Sequence, residues 1–344
     1  PPAGDKILPS AINTDATETC TRVLPQTGSP TAAPELCVIA AGTITAQGTV
    51  TVTGARALVL IAAETIVVAD GATLDASSTT KTNPRRVGPG ANLGPCARPG
   101  GADGQAAGAG GGAGGSLATK GGDGGRGNLN ADPMKGQRVA QGGRAGGTQS
   151  APLLLRGGCP GGKGGDSQIV AGAGNGGAGG AGGGAVYLIA GASITVTGDV
   201  FASGAGGDAI NNNSGGEQGG GGGGTGGMIG FDAPTVTLDG RVVANGGAGG
   251  GGGGQDTGGK PGGDGTTTDW NTQATPGDGG SGGPPQIRIA KGAPGTAVGM
   301  TANIDGPDAD TGGGGAGGGL GIVTVYGKLA GAVSSVSPAP TTHP

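Results

Sequence analysis

Few residues in this chain can do chemistry, and their spacing limits what that chemistry is. The single histidine, His343, lies beside the last residue of the sequence, so a Ser-His-Asp or Cys-His centre would have to be built on it. No G-x-S-x-G elbow is present. The sequence therefore predicts a protein that is not an enzyme. Asp70, Asp199 and Asp239 fall in turns between the second and third strands of a recurring unit, where they would stack into an acidic row of the kind a polysaccharide-cleaving β-helix uses. Beside glycine, each reads first as a turn former. Residues 161–169, Gly-Gly-Lys-Gly-Gly-Asp-Ser-Gln-Ile, nearly match the calcium nonapeptide G-G-x-G-x-D-x-apolar-x, with Gln168 in the apolar place and no tandem copy. Calcium is thus the one ion suggested, and no cofactor is expected.

Four cysteines, Cys20, Cys37, Cys96 and Cys159, lack the C-x-x-C spacing of zinc sites, and their even number points to disulfides formed in an oxidising compartment. Three pairings exist, and Cys20 with Cys37 plus Cys96 with Cys159 is the one preferred here. Thr43, Thr45, Thr49, Thr51 and Thr53 alternate as if on one strand face, which would suit a flat ice-binding surface or simple β-propensity on a solvated face.

These residues have to be held by an unusual scaffold. Of 344 residues, 92 are glycine and five are aromatic (Phe201, Phe231, Tyr187, Tyr326 and Trp270), which excludes an aromatic-rich globular core. Glycine recurs as a triplet, x-Gly-Gly: Lys120-Gly-Gly-Asp123-Gly-Gly-Arg126, Pro160-Gly-Gly-Lys163-Gly-Gly-Asp166 and Asn175-Gly-Gly-Ala178-Gly-Gly-Ala181. A polyproline-II-type helix has three residues per turn, so this period puts the variable residues on one edge and leaves two edges of bare backbone for packing. Collagen is excluded, because strands interrupt the period and few triplets carry proline.

Between the triplets lie short β-branched runs. Residues 57–78 (ALVLIAAETIVVADGATLDASS), 185–204 (AVYLIAGASITVTGDVFASG) and 228–246 (MIGFDAPTVTLDGRVVANG) each hold three short strands in the same order, the last ending V-x-A or L-x-A before a small polar residue. Gly198 and Gly240 are equivalent, a local period of 42 residues. A worn fourth copy begins at Gln286-Ile-Arg-Ile, and a last strand spans residues 322–326. Three short strands make one coil of a stack, so the expected fold is all-β without α-helix: β-solenoid (parallel β-helix-like) coils with polyglycine-II layers between them. An antiparallel sandwich with glycine loops is the competing fold. The expected organisation is an extended Pro/Thr-rich arm over residues 1–36, a repeat domain over 37–334 with its main glycine insertion at about 79–184, and a Pro-rich tail over 335–344.

A net charge of −4 with scattered Lys and Arg excludes nucleic acid as a natural partner, and no apolar run approaches the length of a membrane-spanning helix. The x-Gly-Gly segments resemble the polyglycine-II bundles of snow-flea antifreeze proteins and phage tail-fibre adhesins. The V-x-G-x-V-x-A-N-G-G-like unit over residues 236–250 resembles glycine-rich exported repeat proteins of myxobacteria and related soil bacteria. The second resemblance implies an extracellular or surface-attached protein. The expected function is a structural, self-assembling surface-fibre or matrix subunit, a homo-oligomer or homopolymer; the alternatives are a surface adhesin or ice-binding module, with a glycan among the possible partners, and a β-helix polysaccharide enzyme.

Overall fold

Short β-branched runs separated by glycine favour strands that pair with distant copies of themselves, and this is how the chain is arranged. A computed structural model describes residues 3–27, 33–93, 96, 109–129, 139–148, 154–167, 175–209, 217–254, 257–267, 269, 271–275, 277–278, 290–299, 304–331 and 333–344. Among them there is no α-helix, and apart from one 3-10 turn at Val333–Ser335 every regular element is a strand. The strands build two curled sheets, one of 11 and one of six.

The repeat first seen in the sequence recurs as rungs. β1 (Asp5–Ile7) and β2 (Ala11–Asn13) open the stack, and β3 (Arg22–Leu24) flanks it. The next rung is β4 (Leu36–Ala41), β5 (Thr43–Ala46) and β6 (Thr49–Thr53), followed by β7 (Ala57–Ala62), β8 (Thr65–Val68) and β9 (Thr73–Asp75). Then come β10 (Ala185–Ala190), β11 (Ser193–Val196) and β12 (Asp199–Phe201). In the fifth rung the first two strands merge into β13 (Met228–Leu238), whose pairing shifts register between Asp232 and Thr235, around Pro234; β14 (Val242–Val243) completes it. The sixth rung is β15 (Ile322–Ala330) and β16 (Val336–Ser337), and β17 (Thr341–His343) pairs parallel with β15 and opens a further one.

Every named pair is parallel except β3 with β4, which is not the pattern of an antiparallel sandwich. Register stacks like on like. Ile39, Leu60, Leu188, Phe231 and Val325 form one buried column; Ile44, Ile66, Ile194 and Val236 form a second; Val50, Leu74, Val200, Val242 and Val336 form a third. Each fully buried aliphatic side chain contributes about 1.5–3 kcal/mol, which a chain so poor in aromatics needs. β7 reads as a continuous apolar run and is buried on both faces, as parallel strands often are, whereas β8 and β11 alternate and bury one face.

The residues read as an arm and a tail take part in this stack: β1 pairs β5, β2 pairs β6, β16 pairs β14 and β17 pairs β15. Strands of two or three residues carry too little periodicity to be seen in a sequence. The copy anticipated at residues 286–289 lies outside the described residues.

Candidate functional site in the glycine layer and the stack ends

The chain leaves the rungs after β9, β12 and β14 and returns at β10, β13 and β15, and the described residues within 76–184, 202–227 and 244–321 form the glycine layer. Each excursion is closed in the same way. The returning glycine donates its N–H to the carbonyl of the departing alanine: Gly184 to Ala76 (2.9 Å), Gly227 to Ala202 (2.7 Å) and Gly321 to Ala244 (2.8 Å). The small polar residue after that alanine builds a buried ladder. Ser77 Oγ accepts from the Ser203 N–H (3.0 Å), Ser203 Oγ accepts from the Asn245 N–H (3.3 Å), and Ser337 Oγ donates to Asn245 Oδ1 (2.5 Å). The V-x-A-plus-polar ending of each repeat is therefore the seam between strands and glycine.

At the centre of the layer runs segment 217–227. Its N–H groups leave with a period of three: Gly219, Gly222 and Thr225 donate to Gly165, Gly162 and Cys159; Gly220, Gly223 and Gly226 to Gly313, Ala316 and Gly319; Gly221, Gly224 and Gly227 to Asp208, Ala205 and Ala202. Its carbonyls accept from three further segments, through Gly112 and Gly115, through Gly177, Gly180 and Gly183, and through Gly247 and Gly250. Six neighbours thus surround one extended strand of glycine. A Cβ on Gly219 or Gly222 would fall on the carbonyl oxygens of Gly110 or Ala113, on Gly220 or Gly223 on those of Gly250 or Gly247, and on Gly221 or Gly224 on those of Ala178 or Ala181. No edge has room for a side chain, and the sequence there is six consecutive glycines.

Outer segments keep one edge free and use it for charge. Arg126 pairs with Asp308 (2.7 Å), Lys163 with Asp166 (2.6 Å), Arg85 with Asp208 (2.6 Å) and Lys260 with Asp278 (3.4 Å). Such exposed pairs add little stability, but they give the layer a solvated rim.

Both preferred disulfides are formed. Cys20–Cys37 pins β3 beside β4, and Cys96–Cys159 closes the main glycine excursion. Cys159 also donates to Thr225 Oγ1 (2.9 Å), tying that bridge to the central segment. The buried Arg156 guanidinium lies against both sulfurs of this bridge, 2.6 Å from Cys96 Sγ and 2.8 Å from Cys159 Sγ, and burial pushes its pKa down.

The other sequence candidates are dispersed. Asp199 is held by Arg241 through Nε (2.8 Å) and Nη2 (2.5 Å), with the guanidinium 5.5 Å from the Phe201 ring centre. Asp199 stands level with Thr73, whereas the Asp239 N–H repeats on Val196 the bond that Thr197 makes to Val68, so Asp239 stacks on Thr197. Asp70, Asp199 and Asp239 consequently do not form a row. In the calcium-like segment, Asp166 Oδ1 accepts from Lys163 Nζ (2.6 Å) and the Gly176 N–H (2.7 Å); burial raises its pKa, but these bonds outweigh it and hold the carboxyl below its usual value. Gln168 and Ile169 lie outside the described residues, among which no group of three His, Cys, Asp or Glu residues converges.

The five threonines do not share one face. Thr43 and Thr45 are on β5 in the larger sheet, while Thr49, Thr51 and Thr53 are on β6 in the smaller, because the turn through Gly48 switches sheets. His343 stacks on Tyr326, ring centres 4.4 Å apart.

At the ends of the stack the strand edges are open. Leu8 donates to Thr45 (2.9 Å) and Gly4 accepts from Gly42 (2.7 Å), so by alternation the backbone groups of Asp5 and Ile7 face away from the sheet. Ile7 and Leu24, on β1 and β3, are among the exposed large apolar side chains of the described residues.

No known protein family, curated protein or solved structure matches this chain. No helix among the described residues is long and apolar enough to cross a membrane.

Proposed function

We propose that this chain is an extracellular structural protein, a β-solenoid carrying a polyglycine-II layer, that assembles end to end as a surface-fibre or matrix subunit. The observation that carries the proposal is the central glycine segment, hydrogen-bonded to six neighbours and seamed to the strand rungs by the Ala–Gly closures. Such a layer behaves as a solid cross-linked on all sides, which suits a load-bearing part. Two disulfides fit an oxidising, extracellular setting. The resemblance of residues 236–250 to glycine-rich exported bacterial proteins points the same way.

The two boundaries of the molecule differ in what they offer a second copy. The charged rim of the glycine layer ends it against water. Among the described residues the strand stack ends instead in unpaired backbone: β1 and β2 at one end, β16, β17 and the second half of β15 at the other, all running parallel to their neighbours. Addition of a second copy there continues both columns in register, as in strand augmentation. Only β3, antiparallel to β4, interrupts the remaining column, that of Ile39 and Leu60.

Ile7→Pro tests this assembly. Proline removes an N–H that faces away from the sheet, so the monomer keeps its melting temperature while end-to-end contact is blocked. Sedimentation velocity and electron microscopy of the wild type are expected to show oligomers growing with concentration into particles one molecule wide, and Ile7→Pro to stay monomeric. A wild-type monomer at every concentration overturns the assembly proposal.

A further inference from the structure

Among the described residues, the exposed aromatic chemistry is concentrated on one patch of one sheet. Phe201 and Phe231 are buried, and both tyrosines with the single histidine lie on the outer face of the larger sheet, in two adjacent rows. One row places Tyr187 level with Gly230 and then Thr324 and Thr341; the next places Ile189 level with Asp232, Tyr326 and His343. Tyr187 lies over Gly230, whose missing Cβ leaves room for the ring: a Cβ there would fall on ring atoms Cδ2 and Cε2. Tyr326 stacks on His343 with an interplanar angle of 12° and stays 39 % exposed. The exposed Asp232 carboxylate stands beside Tyr326 in register. Burial, with Asp232 and Tyr326 adding to it, pushes the Tyr187 phenol up to about 12, so it is a neutral hydrogen-bond donor at ordinary pH.

Covering a strand glycine accounts for Tyr187 alone. It leaves Tyr326 exposed and stacked on a half-buried His343 on the same face, with a carboxylate beside them. We propose that this patch binds a neutral glycan chain, with sugar rings resting their C–H faces on the tyrosines and Asp232 accepting hydrogen bonds from ring hydroxyls. The flat aromatic surface calls for a pyranose with an apolar face, the kind presented by rings whose hydroxyls are equatorial. The carboxylate and the net charge of −4 disfavour an acidic polymer. Spacing calls for a chain rather than a single sugar. Tyr187 and Tyr326 are two strands apart and one side-chain pair offset, which sets their attachment points roughly 12 Å apart. Linked rings bridge that span.

The test is titration calorimetry with cellohexaose and chitohexaose, with polygalacturonate and tetramethylammonium as comparators, on the wild type and on Ile7→Pro so that binding is read apart from assembly. One of the two hexaoses is expected to bind both chains equally. Tyr326→Ala is expected to weaken it at least about tenfold, the loss usual for an aromatic anchor. Tyr187→Phe, which keeps the ring over Gly230, and Asp232→Asn, which keeps a hydrogen-bonding group, are each expected to change affinity less than about threefold. The proposal is overturned if neither hexaose binds, if Tyr326→Ala binds as the wild type does, or if polygalacturonate or tetramethylammonium binds instead. Loss of binding in Asp232→Asn also overturns it, since that marks a site for a cation.

Discussion

Gly222→Ala is expected to destabilise the protein by about 3 kcal/mol, the upper end of what overpacking costs, while Gly147→Ala and Gly48→Ala stay within about 1 kcal/mol of the wild type. All three changes add one methyl group, so composition does not separate them. The surroundings do. The Gly222 N–H donates to Gly162 (2.9 Å), its carbonyl accepts from Gly180 (2.8 Å), and the place of its Cβ is taken by the Ala113 carbonyl oxygen. To admit a methyl, one backbone must move, and each neighbour is itself bonded to others, so the displacement spreads through the layer. Gly147 and Gly48 have nothing within 4 Å of a built Cβ and no positive φ, so alanine there chiefly restricts the unfolded chain. Urea unfolding of the three variants measures the difference. Equal stabilities would mean that the central segment is not packed as described.

The second large effect is expected from the disulfides. Replacing Cys96 and Cys159 together by serine removes a bridge across a sequence separation of 63 residues, and the chain-entropy relation gives about 4 kcal/mol for a loop of that length. The same replacement at Cys20 and Cys37, separated by 17, gives about 3 kcal/mol. Their structural consequences differ more than these figures. Cys159 donates to Thr225 Oγ1 and accepts from the Thr225 N–H (3.0 Å), and the segment that follows it takes bonds from Gly219 and Gly222. Loss of this bridge frees a wall of the central segment, whereas loss of Cys20–Cys37 frees only the β3 end of the stack. Thermal unfolding of the two double variants, followed by strand-region circular dichroism and by glycine amide signals, is expected to show the glycine layer loosened in the Cys96/Cys159 variant alone. Identical loss of glycine signals in both variants would contradict that division.

Much of this was legible in the residues. β-branched triples such as Ala57–Ala62, Thr65–Val68 and Thr73–Asp75 mark the rungs, because a narrow aliphatic interior leaves few other choices. The x-Gly-Gly period of three reappears in the donors of segment 217–227, and the pairing of the cysteines followed their nearness along the chain. What stayed hidden depends on register across insertions of unequal length. Arg241 meets Asp199 only because rungs 42 residues apart lie side by side, and Tyr187, Asp232, Tyr326 and His343 share a patch only once β10, β13, β15 and β17 are aligned. Nothing in the sequence near any of these residues announces the others. The threonines misled for a related reason: alternation persists across the turn at Gly48, but the sheet does not. A run of six glycines at 219–224 is the mark of the segment with no free edge, but residues 249–254 form a second run of six, so run length alone does not single it out.

Amide hydrogen exchange, resolved by NMR at the glycines of segment 217–227, tests the central claim most directly. Buried N–H groups bonded on all sides open only with large-scale unfolding, so Gly219 to Gly224 are expected to exchange as slowly as the core of β13. Exchange of these glycines at the rate of an unstructured chain, while β10 and β13 stay protected, would contradict it and leave the strands without a glycine lattice beside them.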